Sequence, residues 1–215
     1  MSDVPAPPEK MLSPSQVRCF MDCQMRWWFK YALKYADPPT GKMALGRAVH
    51  AALTQNFAQK VETQEDLPVT GVVALFRDAW GRERDETEFR DDEDPAELGA
   101  TGEALVSKYM DQIAPLIEPA AVEMRVEGTI GGIRVQGWID LLDVNGRIIE
   151  LKTAARKPSG IESDYKFQIA TYAQLTPGAS GEARLDTLVK TKTPALVTQN
   201  FRVTEKSFTR LRSNQ

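Results

Sequence analysis

Histidine occurs once in this chain, at position 50, cysteine twice, at positions 19 and 23, and no window of eighteen residues is uniformly apolar. Two thiols cannot supply the four thiolates of an iron–sulfur cluster, so none is expected within one chain. Cys19 and Cys23 are read as buried thiols in a reducing compartment. The lack of a long apolar run excludes a transmembrane helix. The opening MSDVPAPPEK has no apolar core of a signal peptide, so a cytoplasmic protein without a membrane partner is expected. A basic excess is missing too, the formal net charge being −3, which argues against a nucleic-acid partner until the distribution is counted. Residues 82–97 carry nine acidic and three basic side chains, whereas 147–215 carry twelve basic and six acidic. Steering depends on the local field, so an acidic chain can still present a basic face, although either block alone also reads as a solvated charge run.

With 215 residues, 42% of them hydrophobic, the chain suits one soluble domain. Residues 1–11 read as a disordered, Pro-rich tail. Ser13, Pro14 and Gln16 then have the spacing of a helix start, and apolar residues at helical intervals carry that helix to about residue 35. Arg18, Arg26, Lys30 and Lys34 interleave with Trp27, Trp28 and Tyr31, a pattern that suits a nucleic-acid strand. Of these, Trp28 and Tyr31 are assigned to the core, and Arg18 and Trp27 to the strand. Further helices are predicted over about 43–60, 70–85 and 96–117. The acidic loop at 90–95 is expected to keep DNA off its side. The first of these helices places Leu45, Val49, Ala52 and Phe57 on a core stripe and Gly46, His50 and Leu53 on an adjoining one. From Ala121 the period becomes two, with a turn at Gly131-Gly132. A helix over 165–175 and a strand over 185–192 follow, the strand placing Lys190 and Lys192 on one face as phosphate contacts. The last twelve residues read as the start of a helix, as if the chain were a fragment.

The segment VQGWIDLLDVNGRIIELKT, residues 135–153, has apolar alternation on both sides of Asn145-Gly146, which signals a β-hairpin with strands over about 133–143 and 147–153. Asp140, Glu150 and Lys152 are charged residues inside segments patterned for burial, and buried charge is costly unless paired or bound to metal. A two-residue loop would pair Asp140 with Leu151 and leave Glu150 on the opposite face. A three-residue loop with Gly146 left-handed pairs Asp143 with Arg147 and so Asp140 with Glu150. In that register the carboxylates stand roughly 5 Å apart, where one hard cation relieves their repulsion. Lys152 shares the face of Glu150. A surface ion pair between Glu150 and Lys152 accounts for the same spacing without a metal.

The fragments GWID (Gly137 to Asp140) and IIELKT (Ile148 to Thr153) resemble the core of the PD-(D/E)XK nuclease superfamily, specifically its RecB-like branch. GRAVH (Gly46 to His50), QIATY (Gln168 to Tyr172) and the opening helix LSPSQVRCFMDC match in the expected order, spanning about residues 12–175. The resemblance implies a mixed α/β (α+β) fold: a restriction-endonuclease-like central mixed sheet with flanking helices. Residues 12–215 would form a single domain, with a helical cap over about 51–119. It implies a divalent-metal-dependent DNA nuclease, in its exonuclease form, working in DNA repair or recombination or in phage or mobile-element DNA processing. His50, Asp140, Glu150 and the backbone carbonyl of Leu151 would hold Mg²⁺ or Mn²⁺, with Glu123 a further candidate. Lys152 would act with Asp140 and Glu150 in catalysis. Gln168 and Tyr172 would position single-stranded DNA or duplex ends. No helicase or recombination partner is identified. Two rival readings are a non-catalytic DNA-binding subunit of the same fold and a protein-interaction module built on the acidic loop. The intact Asp, Glu, Lys and His favour the enzyme.

Overall fold

Residues 11–35, 38–191, 193–204 and 207 are described by the structure, a computed structural model. The expected tail up to residue 10, Lys192 and nearly all of the expected C-terminal helix lie outside the described residues. Ser13 caps the first helix, its Oγ accepting the N–H of Gln16 at 3.2 Å, and Pro14 opens α1 (Pro14–Asp22). The helix does not run to residue 35. Cys23 adopts an extended conformation, and its sulfur accepts the N–H of Arg26 at 3.4 Å, starting a new short helix α2 (Gln24–Trp27). A π-helical turn, Trp28–Ala32, follows. Two expectations fail as a result: Cys23 is exposed while Cys19 is buried, and Trp28 is 52% exposed rather than core. The physical reason is local. A thiol that caps a helix must stay at its end, and a π-turn shifts the apolar stripe that a continuous α-helix would have aligned.

Three helices, α3 (Gly41–Thr63), α4 (Val69–Asp85) and α5 (Pro95–Gln112), form one layer, close to the predicted spans. Leu45, Val49, Ala52, Leu53 and Phe57 of α3 are buried, as the stripe requires. The acidic loop has structural duties. Glu93 accepts the N–H groups of Gly41 and Lys42 at 3.1 and 3.3 Å, and Asp94 caps α5 through Ala96 at 2.7 Å. A carboxylate at a helix N-terminus complements the helix dipole, which holds the start of α3 in place.

The sheet has the order β1 (Pro119–Ile130), β2 (Ile133–Asp143), β3 (Ile148–Ala154), β4 (Glu182–Val189), β5 (Ala195–Arg202). All neighbours pair antiparallel except β3 with β4, which are parallel and joined through α6 (Ser163–Leu175). The last predicted strand therefore ends at Val189, short of Lys190. The sequence reading did not assign β5, whose residues alternate between half-buried and exposed without a strong apolar face. The central turn is the three-residue one. Leu141 faces Ile149 and Leu142 faces Ile148, Asp143 donates its N–H to the Arg147 carbonyl at 3.0 Å, and Gly146 has φ +73°. This register sets Asp140 opposite Glu150.

Apolar residues fill both faces of the sheet. The larger core joins α3, α4 and α5 to Leu141, Ile149, Leu151 and Leu188, and the smaller one lies under α6 with Val126, Ile139, Ile148 and Tyr172. Residues two apart on a regular strand share a face. Here Val122 and Leu141 pack with the larger core, but Met124 and Ile139 pack with the smaller one. Both strands therefore cross the sheet at the residues between. Val122 pairs with Leu141 and Met124 with Ile139, so the crossing residues Glu123 and Asp140 stand opposite each other. Glu123 has φ +47°, a left-handed conformation that costs a non-glycine residue about 1–2 kcal/mol.

Candidate functional site

Helix α3 brings the only histidine of the chain to this crossing. Gly46 makes the approach possible, since a Cβ there would lie 2.7 Å from Thr153 Oγ1, and His50 follows one turn later. His50 Nε2 lies 3.2 Å from Asp140 Oδ1, and Nδ1 lies 3.5 Å from Glu123 Oε1. One ligand atom from each of the three falls within 4.8 Å of the others, an arrangement that could hold a metal ion. Asp140 also uses Oδ2 to accept the N–H of Leu151 at 2.8 Å, which ties β2 to β3 at the site. Burial pushes the His50 pKa down, but the hydrogen bond and charge of Asp140 outweigh it, and the net shift is upward. Burial and the charge of Asp140 raise the Glu123 pKa against the opposing pull of His50.

Glu150 is 1% exposed. Its Oε1 binds Lys152 Nζ at 2.5 Å and accepts Gln168 Nε2 at 2.7 Å, while its buried Oε2 has no hydrogen-bond partner among the described residues. Burial, then the charge of Asp140, pushes its pKa up to about 7 against the opposing effects of Lys152 and Gln168. Burial disfavours the Lys152 ammonium, but Glu150 and Asp140 outweigh it and hold its pKa above the usual lysine range. The ion pair foreseen as a surface feature exists, but it lies inside the protein. Tyr172 closes the back of the site against Gly137, where any Cβ would overlap its ring. Burial and the nearby Glu150 charge push its hydroxyl up to about 12.

Of the predicted ligands, His50 and Asp140 meet with Glu123, whereas among the described residues Glu150 falls outside this group. Carboxylates, an imidazole and a neighbouring ammonium on a mixed sheet flanked by helices are the parts of a hydrolytic metal centre. The sequence matches a family model over residues 11–202, that of the PD-(D/E)XK nuclease superfamily. The chain belongs to the PD-(D/E)XK nuclease superfamily. Among the described residues, its five-stranded sheet and six α-helices are the mixed, restriction-endonuclease-like fold of that superfamily. Among solved structures it resembles "Putative exonuclease" from Eubacterium rectale at a TM-score of 0.59 and 12% identity, over 93% of this chain and 75% of that chain. At that identity the likeness concerns the fold alone. SSO0001 superposes at a TM-score of 0.34 and 13% identity over 87% of this chain and 80% of that chain, and carries no argument. No curated protein sequence matches the chain.

Other predicted contacts of this nuclease-family chain sit elsewhere. Arg18 is 2.9 Å from Asp164 and 3.8 Å from Asp22, so it links α1 to α6. Trp27 packs edge-on against Phe20 at 5.7 Å and lies 6.1 Å from Tyr31. Lys190 donates to the Lys42 carbonyl at 2.8 Å and to Thr153 Oγ1 at 3.2 Å, joining the end of β4 to α3 and β3. Burial, reinforced by the Lys42 charge, lowers its pKa to about 8. Its partner in the prediction, Lys192, lies outside the described residues. Sequence reasoning passed over Arg156 and Lys157, which border a cavity beside Lys152. Their only signal was adjacency to the charged end of β3.

Proposed function

We propose that this chain is a divalent-metal-dependent nuclease that hydrolyses phosphodiester bonds of DNA, with residues 12–215 acting as one domain and the helices within 51–119 capping the site. The observation that carries the reading is Glu150 Oε2, buried and, among the described residues, without a hydrogen-bond partner, in the register position that faces Asp140. A buried carboxylate oxygen left unsatisfied is expensive to ionise, and a cation is the simplest partner that would favour its ionised form. Asp140, Glu150, His50 and the Leu151 carbonyl would hold Mg²⁺ or Mn²⁺, with Glu123 as a further ligand. An oxygen-rich set containing one imidazole suits these ions, with some preference for Mn²⁺. When bound, such an ion lowers the pKa of a water and neutralises charge on the scissile phosphate.

The protein's own groups do the rest. Lys152, held protonated by Glu150, orients the attacking water and offsets charge developing on the phosphate. Gln168 fixes Glu150 Oε1, and Oε2 is the oxygen of Glu150 that would be available to a bound ion. Tyr172 supports that helix against Gly137. Exonuclease action of the RecB-like kind on single-stranded DNA or duplex ends, in repair, recombination or mobile-element processing in the cytoplasm, is the finer form of this reading. The name of the Eubacterium rectale structure supports it by analogy of fold. The test is cleavage of oligonucleotides labelled at each end, in Mg²⁺ and in Mn²⁺, with Asp140→Asn as control. Cleavage that needs neither divalent ion nor Asp140 would refute the proposal.

A further inference from the structure

The end of β3 opens into a cavity of about 270 Å³ whose walls include Lys152, Arg156, Lys157 and Glu162, with Tyr165 of α6 and Thr187 of β4. Lys152 belongs both to this cavity and to the carboxylate site, so the cavity is the next space along from the reacting centre. Its cations differ from several arginines elsewhere in the chain. Arg47, Arg77, Arg147 and Arg184 are each tied to a carboxylate. Among the described residues, neither Arg156 nor Lys157 has a side-chain hydrogen bond or ion pair, and both are exposed at the cavity mouth. Against them stands one acid, Glu162.

We propose that this cavity is a subsite for a second phosphate of the bound nucleic-acid strand, one or two nucleotides from the phosphate being cleaved, with Arg156 and Lys157 as its cations. The inference rests on the nuclease reading for its substrate. It adds the element that fixes the strand beside the reacting bond. Unpaired cations are what a phosphodiester chain seeks, and a guanidinium can grip a phosphate with two parallel bonds. At about 270 Å³ the space falls just below the ~300–1,000 Å³ range of small-molecule pockets. Lys152 and Arg156 line the same space four residues apart, so a strand with its reacting phosphate beside Lys152 passes Arg156 as it leaves the site. Tyr165, whose ring lies 5.6 Å from Lys152 Nζ, supplies an aromatic side to the same space.

The ligand is a phosphate from one of two sources, an internal phosphodiester or a terminal monoester. The test compares wild type, Arg156→Gln/Lys157→Gln and the remote, charge-matched Arg82→Gln/Arg84→Gln. Each is titrated with one single-stranded oligonucleotide carrying a 5′ phosphate, a 3′ phosphate or neither. Ca²⁺ replaces the catalytic ions, and the strand is checked for integrity afterwards. Losing two phosphate contacts should weaken binding roughly tenfold and flatten the slope of log affinity against log salt by about 1.4 units, at ~0.7 per contact on a single strand. The remote variant should show neither change. An equal loss on all three oligonucleotides identifies the internal diester. Loss confined to one phosphorylated end identifies the terminal monoester. Binding of Arg156→Gln/Lys157→Gln that equals wild type, or a loss matched by Arg82→Gln/Arg84→Gln, overturns the proposal. Cleavage in Mn²⁺ is measured separately. Slope changes without cleavage would leave the subsite standing while the nuclease reading fell, and cleavage with unchanged slopes would do the reverse.

Discussion

The site has two halves that solve the same electrostatic problem differently. In the outer half, His50, Glu123 and Asp140 keep side-chain exposures of 32%, 39% and 12% and approach one another only to 3.2–3.5 Å. In the inner half, Glu150 and Lys152 are in contact at 2.5 Å, Gln168 adds a bond of 2.7 Å, and the Glu150 side chain is 1% exposed. The outer half disperses charge into water and stays loose enough to admit an ion. The inner half neutralises charge internally and leaves one oxygen over. The difference assigns work. The outer groups can exchange partners cheaply, whereas the inner groups fix where the lysine and the leftover oxygen point.

Removing one carboxylate from either half should have the largest effect. Asp140→Asn and Glu150→Gln should each bring cleavage below detection in an end-labelled assay while the protein still folds, Glu150→Gln at some cost in stability because it leaves the Lys152 ammonium without its partner. Wild-type turnover in either variant would dissolve the distinction between the halves. Lys152→Ala should come next. Loss of one contact made in the transition state costs about 2.7–4 kcal/mol, or roughly 10²–10³ in rate. DNA affinity should change little, since Lys152 is already neutralised by Glu150. A Lys152→Ala protein that turns over normally at saturating DNA but binds poorly would place this lysine with the phosphate contacts instead.

The halves also differ in how far the sequence disclosed them. The inner half was legible because it is local: Asn145-Gly146 fixes a turn, and the turn's register sets Asp140 against Glu150 and puts Lys152 beside it. Gly46 and His50 were placed by resemblance, and the reason glycine is needed, the approach to Thr153, is a contact between residues far apart in the chain. The outer half was only partly readable. Glu123 enters through a left-handed backbone at a non-glycine position, which no local rule foretells, since the strain is sustained by the pairing of both strands around it. The N-terminal helix failed for a related reason: its aromatics have helical spacing, but Cys23 ends one helix and caps the next. The pairing of Arg18 with Asp164 on α6 is likewise hidden by their separation in the chain.

Smaller effects lie in the pH dependence of the metal-free protein, and here the two halves of the site meet their surroundings. The folded pKa of Glu150, about 7, lies above its ordinary value of 4.5. The native state therefore holds a proton that the unfolded state has released, and stability falls as pH rises from about 4.5 to 7. The loss is on the order of 3 kcal/mol at most, and Glu150→Gln should abolish it in urea titrations at stepped pH. Divalent ions should reverse the trend, because they bind the ionised carboxylate. If Mn²⁺ stabilises wild type no more at pH 8 than at pH 5, Glu150 is not a ligand.

Lys190 should contribute the opposite and smallest slope. Its folded pKa, about 8, lies below the ordinary 10.5, because burial and the neighbouring Lys42 disfavour the ammonium, with Glu93 opposing weakly. Between those values the unfolded chain binds the proton that the native state has lost, so stability rises with pH from about 8 to 10.5. The group is partly open to solvent, which reduces the gain to about 1 kcal/mol. Its amine also bonds the Lys42 carbonyl and Thr153, the two points between which α3 rests on β3 near Gly46. Lys190→Met should therefore remove the alkaline gain and, by loosening α3, weaken the stabilisation that Mn²⁺ provides through His50. The comparison is the difference between wild type and variant at each pH, which cancels the titration of all other lysines and tyrosines. A variant that keeps the alkaline rise and the full Mn²⁺ shift would mean that α3 is positioned by Gly46 and Glu93 without help from Lys190.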